Sequence, residues 1–273
     1  MKNAITAHGA TIPLIGLGTW QLSGDNCVQM VSEALKLGYR HIDTAAMYGN
    51  EVEVGDGMRA SGVKREDVFL TTKVWRDNLH AKDFRGSVEA SLKKLKLPYV
   101  DLILIHWPNE SVPLKETLGA MAEVKRAGLA KHIGVSNFTV KLLDEAVKLS
   151  AEPIVNNQVE LHPFLDQSKV IAACQKHGIS VTAYCPIARG SAAGDKVLAK
   201  VGAAHGKSAA QVSLRYLVQQ GIIAIPRTSK AARLKENLAA LDFTLTDAEM
   251  ATVHGLAHRE GRVVNLAHAP AWD

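Results

Sequence analysis

Four residues capable of acid–base chemistry sit near the ends of successive short apolar runs. They are Asp43, Tyr48 five residues after it, Lys73 and His106. A carboxylate or an ammonium at the end of an apolar run is costly unless it meets an opposite charge. Asp43 and Lys73, on neighbouring runs, are therefore expected to pair. A lysine beside Tyr48 is expected to stabilise its phenolate and lower its pKa from about 10. That would make Tyr48 a proton donor near neutral pH. His106, one run further on, can donate a hydrogen bond to the same small oxygen. The set suits a carbonyl gaining negative charge, oriented by His106 and protonated by Tyr48. It lacks a nucleophile, and no metal-ligating cluster is evident, so a hydride from a bound cofactor is the candidate. Each residue has a plainer role on its own: Asp43 as a helix cap, Tyr48 in packing, Lys73 in a surface loop, His106 as a structural hydrogen-bonding group. Their joint placement argues for a site.

The elements that must position these residues alternate along the chain. Eight β-rich runs occur at 14–20, 40–45, 68–75, 100–107, 131–137, 155–161, 180–186 and 222–228. Between them, apolar residues recur at three- and four-residue spacing, as in Cys27–Leu37 and Leu114–Val124. Gly38, Gly128, Gly178 and Gly221 stand where a glycine ends a helix before the next strand. Eight βα units predict an α/β fold, a (β/α)8 TIM barrel, over a single domain spanning 1–273. A doubly wound sheet is the alternative. Its phosphate-binding glycine loop has one candidate, "GLGTW" (16–20), which lacks a third glycine and a following helix. An N-terminal hairpin turning near His8-Gly9 is expected to cap one barrel end. Extra helices are expected at 195–205 and 208–219, before the last strand, and at 230–240 and 246–254, after it. An irregular C-terminal loop ends in "APAWD".

The bulk composition excludes several classes. The chain has 273 residues, 47% hydrophobic and 22% charged, which suits an ordinary globular protein. Its net charge of +5 is scattered, with no block of like charge and only 5% aromatics, so nucleic acid is not an expected partner. Cys27, Cys174 and Cys185 form no disulfide framework or CxxC pair and fit a reducing compartment. There is no signal-peptide core and no run of ~20 apolar residues, so the expectation is a cytoplasmic protein without a membrane partner. A monomer is expected.

In a barrel the active site lies at the C-terminal mouth of the strands. The early strand ends carry Trp20, Asp43, Lys73, Trp75, His106 and Trp107. The later ones carry Ser136, Asn137, Gln158, Glu160, Tyr184, Arg227 and Thr228. Titratable groups and indoles thus occupy one half of the rim, amides, hydroxyls and a guanidinium the other.

These segments resemble the aldo-keto reductase family along the whole chain. "DTAAMYGNEVEVG" (43–55), "LTTKVW" (70–75) and "DLILIHWP" (101–108) are similar to its catalytic segments. "GVSNF" (134–138), "NQVELHP" (157–163) and "IPRTSKAARLKEN" (225–237) are similar to its cofactor segments. The short loops and the ending most resemble the bacterial 2,5-diketo-gluconate reductases, which also reduce methylglyoxal. The resemblance implies Tyr48 as general acid, Asp43 and Lys73 as its tuning pair, and His106 as the carbonyl-orienting group. It implies that Ser136, Asn137 and Gln158 hold a nicotinamide carboxamide, with Tyr184 stacked on the ring and Cys185 and Ile187 beside it. The adenosine end falls to Arg227, Thr228, Ser229, Arg233, Glu236 and Asn237. Two segments depart from the family's habit. Arg227 and Thr228 replace the lysine and serine that often follow "IP", and an arginine favours a 2′-phosphate and hence NADPH. Cys185 replaces the serine common after the tyrosine.

Trp20, Trp75 and Trp107 are expected to line the substrate pocket, with Met47 and Phe138 nearby and Trp272 closing from the tail. Flat apolar walls and short loops predict an open mouth accepting many small carbonyls. The expected activity is NADPH-dependent reduction of small aldehydes, α-ketoaldehydes or keto-sugar acids. Two other classes remain open: a Schiff-base lyase using Lys73, and a regulator that binds cofactor without turnover.

Overall fold

Two short strands, Ala4–Ala7 (β1) and Ala10–Pro13 (β2), pair antiparallel around a turn at His8 and Gly9, both at positive φ. The computed structural model describes residues 3–273. After the hairpin the chain alternates strand and helix. Leu17–Gly18 (β3) leads to Gly24–Lys36 (α1), His41–Asp43 (β4) to Glu51–Ser61 (α2), and Phe69–Val74 (β5) to Ala81–Leu95 (α3). Val100–Ile105 (β6) leads to Leu114–Arg126 (α4), Ala130–Ser136 (β7) to Val140–Leu149 (α5), and Ile154–Glu160 (β8) to Ser168–Lys176 (α6). Between Ser180–Tyr184 (β9) and Ile223–Ala224 (β10) come Lys196–Ala203 (α7) and Ala209–Gln219 (α8). Ala231–Leu238 (α9) and Asp247–His254 (α10) follow β10.

Strands β3 to β10 pair in sequence order, all parallel. The first and last then meet. Gly16 N–H donates to Ala224 O at 2.9 Å, Ala224 N–H to Leu14 O at 2.8 Å, and Gly18 N–H to Pro226 O at 3.2 Å. This closes the sheet into the expected barrel. The glycines of "GLGTW" find their reason at that seam. A Cβ on Gly18 would lie 2.7 Å from Ile225 O, and one on Gly16 2.7 Å from His41 Nδ1. The seam strands are two residues each, shorter than their apolar runs, in part because Pro226 has no N–H to extend the ladder.

The helices form where the periodicity places them. In α1, Cys27, Met30, Val31, Ala34 and Leu35 make one buried stripe against the barrel. The helix stops at Gly38, at φ 106°. Gly128, Gly178 and Gly221 also have positive φ, as the stop signals require. Helix α8 starts at a capping box of Ser208 and Gln211 and is buried around most of its surface. The hairpin sits at the end opposite the mouth. His8 Nε2 lies 3.0 Å from His177 O, in the turn that enters β9. No helix of the described residues is long and apolar enough to cross a membrane.

Candidate active site

Lys73 is the centre of the mouth. Its side chain is fully buried, and its Nζ donates to Asp43 Oδ1 at 2.5 Å, to Thr44 O at 2.8 Å and to Tyr48 Oη at 3.2 Å. Neighbouring parallel strands β4 and β5 bring the two charges together, as expected. Removing either partner leaves a buried charge uncompensated, a loss of about 3–5 kcal/mol. The three contacts use all three N–H donors of the ammonium. A lysine so engaged has no lone pair to attack a carbonyl, which argues against the Schiff-base alternative.

Tyr48 ends a one-turn 3-10 helix, Ala46–Tyr48, that Gly49 closes at φ 70°. Lys73 Nζ lies 4.9 Å from its ring centre. Burial and the nearby Asp43 carboxylate push the phenol well above its ordinary pKa. This corrects the expectation of a lowered value. Desolvation of the phenolate outweighs the lysine's attraction, and the proton stays on the oxygen. The His106 ring stands 5.6 Å from the Tyr48 ring, edge to face. Burial first, then the Lys73 charge, holds His106 well below its usual pKa, so the imidazole is neutral. Its Nδ1 is buried without a hydrogen-bond partner.

The loops carrying these groups are tied together by a residue that sequence reasoning passed over. Asn50 Nδ2 donates to Thr19 O at 2.8 Å and Leu22 O at 2.9 Å, and its Oδ1 accepts from Thr44 Oγ1 at 3.0 Å. Asn50 thus fixes the Trp20 loop to the Tyr48 loop. The signal was its place beside the tyrosine in "YGNE", where it reads simply as a helix cap.

The opposite arc is a connected network. Ser136 Oγ donates to Gln158 O at 2.8 Å, and Asn137 Nδ2 donates to His106 O at 2.9 Å and to Ser136 Oγ at 3.1 Å. Tyr184 Oη donates to Asn137 Oδ1 at 2.8 Å. Gln158 Nε2 donates to Asp43 Oδ2 at 2.7 Å and so joins this arc to the Asp43–Lys73 pair. Asn137 (φ 62°) and Cys185 (φ 49°) hold left-handed backbone at the ends of β7 and β9. Cys185 and Ile187 are partly exposed beside Tyr184.

Further round, Arg227 is exposed and donates from Nε to Trp20 O at 3.3 Å and from Nη2 to Gln21 O at 3.2 Å. Thr228 is buried and accepts the Lys230 N–H at 3.0 Å. Asn237 is buried, whereas Ser229 and Arg233 face solvent. Glu236 accepts from Ser208 Oγ at 2.6 Å, bracing α9 against α8. Helix α9 has no side-chain cap at its start, so the Ala231 and Ala232 N–H groups remain available beside Arg227, Lys230 and Arg233. Open helix N–H groups beside three cations fit a phosphate-bearing adenosine. The amide and hydroxyl arc fits a carboxamide.

The expected pocket residues divide. Trp20 packs on Tyr48 at 4.9 Å between ring centres and is 42% exposed; Met47 is 38% exposed. Trp75 meets His106 at 5.2 Å. Trp107 is buried under the C-terminal loop, with Trp272 at 6.2 Å. The mouth is therefore open along Trp20 and Met47 and roofed over Trp107. Phe138 is a correction: it is 1% exposed and belongs to the hydrophobic core, so it offers a substrate no wall. The roof is pinned by Glu160, a buried carboxylate at the end of β8. It accepts from Val263 N–H at 2.6 Å and Val264 N–H at 2.8 Å.

The description aldo/keto reductase family matches residues 14–258. The methylglyoxal reductase DkgB of Escherichia coli O157:H7 is 41% identical over 265 residues, 96% of this chain and 99% of that protein. A solved structure provisionally assigned as a 2,5-diketo-D-gluconic acid reductase B superposes with a TM-score of 0.98. It is 49% identical and is matched over 100% of this chain and 98% of its own. The Bombyx mori aldo-keto reductase in complex with NADP superposes at 0.90 with 35% identity, over 97% of this chain and 95% of that one. With an acid–base constellation at the mouth of a closed (β/α)8 barrel, the chain belongs to the aldo/keto reductase family. It is an NADP-dependent oxidoreductase that reduces carbonyl compounds, with NADPH as its cofactor.

Proposed function

We propose that this reductase acts on small α-ketoaldehydes such as methylglyoxal, or on keto-sugar acids, with Tyr48 as the proton donor. The observation that carries the reading is the Tyr48 hydroxyl, 3.2 Å from Lys73 Nζ and facing the His106 ring beneath an indole-walled mouth. The 41% identity to a methylglyoxal reductase supports the substrate class.

Ser136, Asn137 and Gln158 would hold the nicotinamide carboxamide, Tyr184 would stack on the ring, and Arg227 with the start of α9 would hold the adenosine phosphate. Bound there, NADPH would supply the hydride that the carbonyl carbon takes up. As the carbonyl π pair becomes an oxygen lone pair, His106 and Tyr48 donate hydrogen bonds to that oxygen. Tyr48 then gives up its proton and the alcohol forms. An alkoxide is a stronger base than a phenolate, so the raised phenol pKa does not prevent the transfer. Lys73 stabilises the phenolate left behind, and Asp43 keeps Lys73 charged in a buried site. Solvent at the open edge by Trp20 returns a proton to Tyr48.

The test is NADPH oxidation with methylglyoxal, 2,5-diketo-gluconate and propanal. The reading expects kcat/KM for at least one dicarbonyl to exceed that for propanal by about tenfold or more. Equal values for all three would count against this substrate class.

A further inference from the structure

The C-terminal roof carries a polar group that the reaction as described does not use. His268 lies between Trp75 and Trp107, its ring 5.6 Å and 5.3 Å from the two indoles and perpendicular to both. Trp75 in turn stands 5.2 Å from His106. Tyr48, His106, Trp75, His268 and Trp107 thus form one unbroken edge-to-face series along the pocket wall. Its only polar ring beyond the two catalytic residues and the indoles is His268. The Nε2 of His268 is buried and has no hydrogen-bond partner. Packing alone would be served better here by an aliphatic or phenyl side chain, because an unpaired imidazole nitrogen among indoles loses its water without recompense.

The position of this ring is fixed. Glu160 holds the roof at Val263 and Val264, and at the far end the Val140 N–H donates to Asp273 Oδ2 at 2.9 Å. Between these anchors, Ala269 N–H closes a turn onto Leu266 O at 2.9 Å. Burial, with the Arg76 charge, keeps His268 below its ordinary pKa, so the ring is neutral and has one N–H to give.

We propose that His268 is a specificity-determining residue, donating a hydrogen bond to an acceptor oxygen on the carbon next to the reacting carbonyl. The inference rests on the substrate class proposed above and deepens it. With the reacting oxygen held between Tyr48 and His106, the adjoining carbon and its oxygen face the wall next to His106. Trp75 gives that wall its apolar surface, Trp107 backs His268 from beneath, and His268 gives the wall a donor. A simple aldehyde has nothing to place there. An α-ketoaldehyde or a 2-keto acid has an acceptor oxygen at that position.

The test compares wild type, His268→Leu and His268→Gln with methylglyoxal and propanal, in the presence of saturating NADPH. The two substrates have the same chain length and differ in the second oxygen. The ratio of their kcat/KM values does not depend on the fraction of enzyme that is folded. His268→Leu is expected to lower the methylglyoxal-to-propanal ratio about tenfold or more, mainly through KM for methylglyoxal. His268→Gln, which keeps an N–H donor, is expected to retain more of the ratio. A Leu variant whose ratio stays within twofold of wild type overturns the inference. Wild type with no preference for methylglyoxal is a separate result, because it defeats the substrate class itself.

Discussion

Gln158 Nε2 donates to Asp43 Oδ2 at 2.7 Å, from β8 across the barrel mouth to β4. The other oxygen of Asp43 accepts Lys73. The carboxylate that keeps the lysine charged is therefore held by an amide assigned to the nicotinamide arc. On the proposed reading, cofactor seating and proton donation would share one carboxylate. Gln158→Leu is expected to weaken NADPH binding and also lower kcat, each by about tenfold, since a hydrogen bond to a charged group contributes about 1.5–3 kcal/mol. Fluorescence titration and turnover together check this. A change in only one of the two would separate the arcs.

The pH dependence of activity follows from the two donors. Tyr48 keeps its proton to well above its usual range, and His106 stays neutral to well below its own. Reductive kcat/KM should form a plateau through neutrality and lose activity in base only above pH about 10. A basic limb with a midpoint near 7 or 8 would show a phenol tuned down by Lys73 instead.

Stability should fall on the acid side for a different reason. Burial holds His41, inside the barrel below Asp43, at about 4 rather than 6.5. Between those values the unfolded chain binds a proton that the folded chain refuses. The folded state therefore loses stability as pH falls from 6.5 to 4, by about 3 kcal/mol for this one residue. Urea unfolding at pH 7 and pH 4.5 measures the loss. In His41→Gln the slope over this window should be shallower, and an unchanged slope would remove His41 from the explanation.

Arg227 now donates to two backbone carbonyls at 3.2–3.3 Å, long contacts that a phosphate can replace. Arg227→Ala is expected to raise the NADPH Kd about tenfold to a hundredfold and the NADH Kd by about threefold or less. Equal losses for the two nucleotides would mean that Arg227 does not read the 2′-phosphate.

The strands β4 to β9 were legible as short β-rich runs between helical patterns, with a glycine stop before β4, β7 and β9. The first and last barrel strands were read as long runs but are two residues each, since their pairing is set by the seam and by Pro226. Asp43, Tyr48, Lys73 and His106 were legible as a group because strand order converts their spacing into adjacency. The state of Tyr48 was not, because burial depends on what packs round the ring, and here it outweighs the lysine. Phe138 follows Asn137 in the chain, yet its side chain enters the core. Asn50 and His268 went unread for a common reason: each acts through contacts between segments far apart in the sequence, Asn50 with the Trp20 loop and His268 with Trp75 and Trp107.

The central claim is that the Tyr48 hydroxyl supplies the proton, and Tyr48→Phe tests it most directly. The variant removes one oxygen and leaves the amide arc, Arg227 and the indoles in place. Methylglyoxal-dependent loss of NADPH absorbance should drop by about a hundredfold or more, while NADPH binding by tryptophan fluorescence stays within about threefold of wild type. Turnover close to that of wild type, with cofactor still bound, would contradict the assignment.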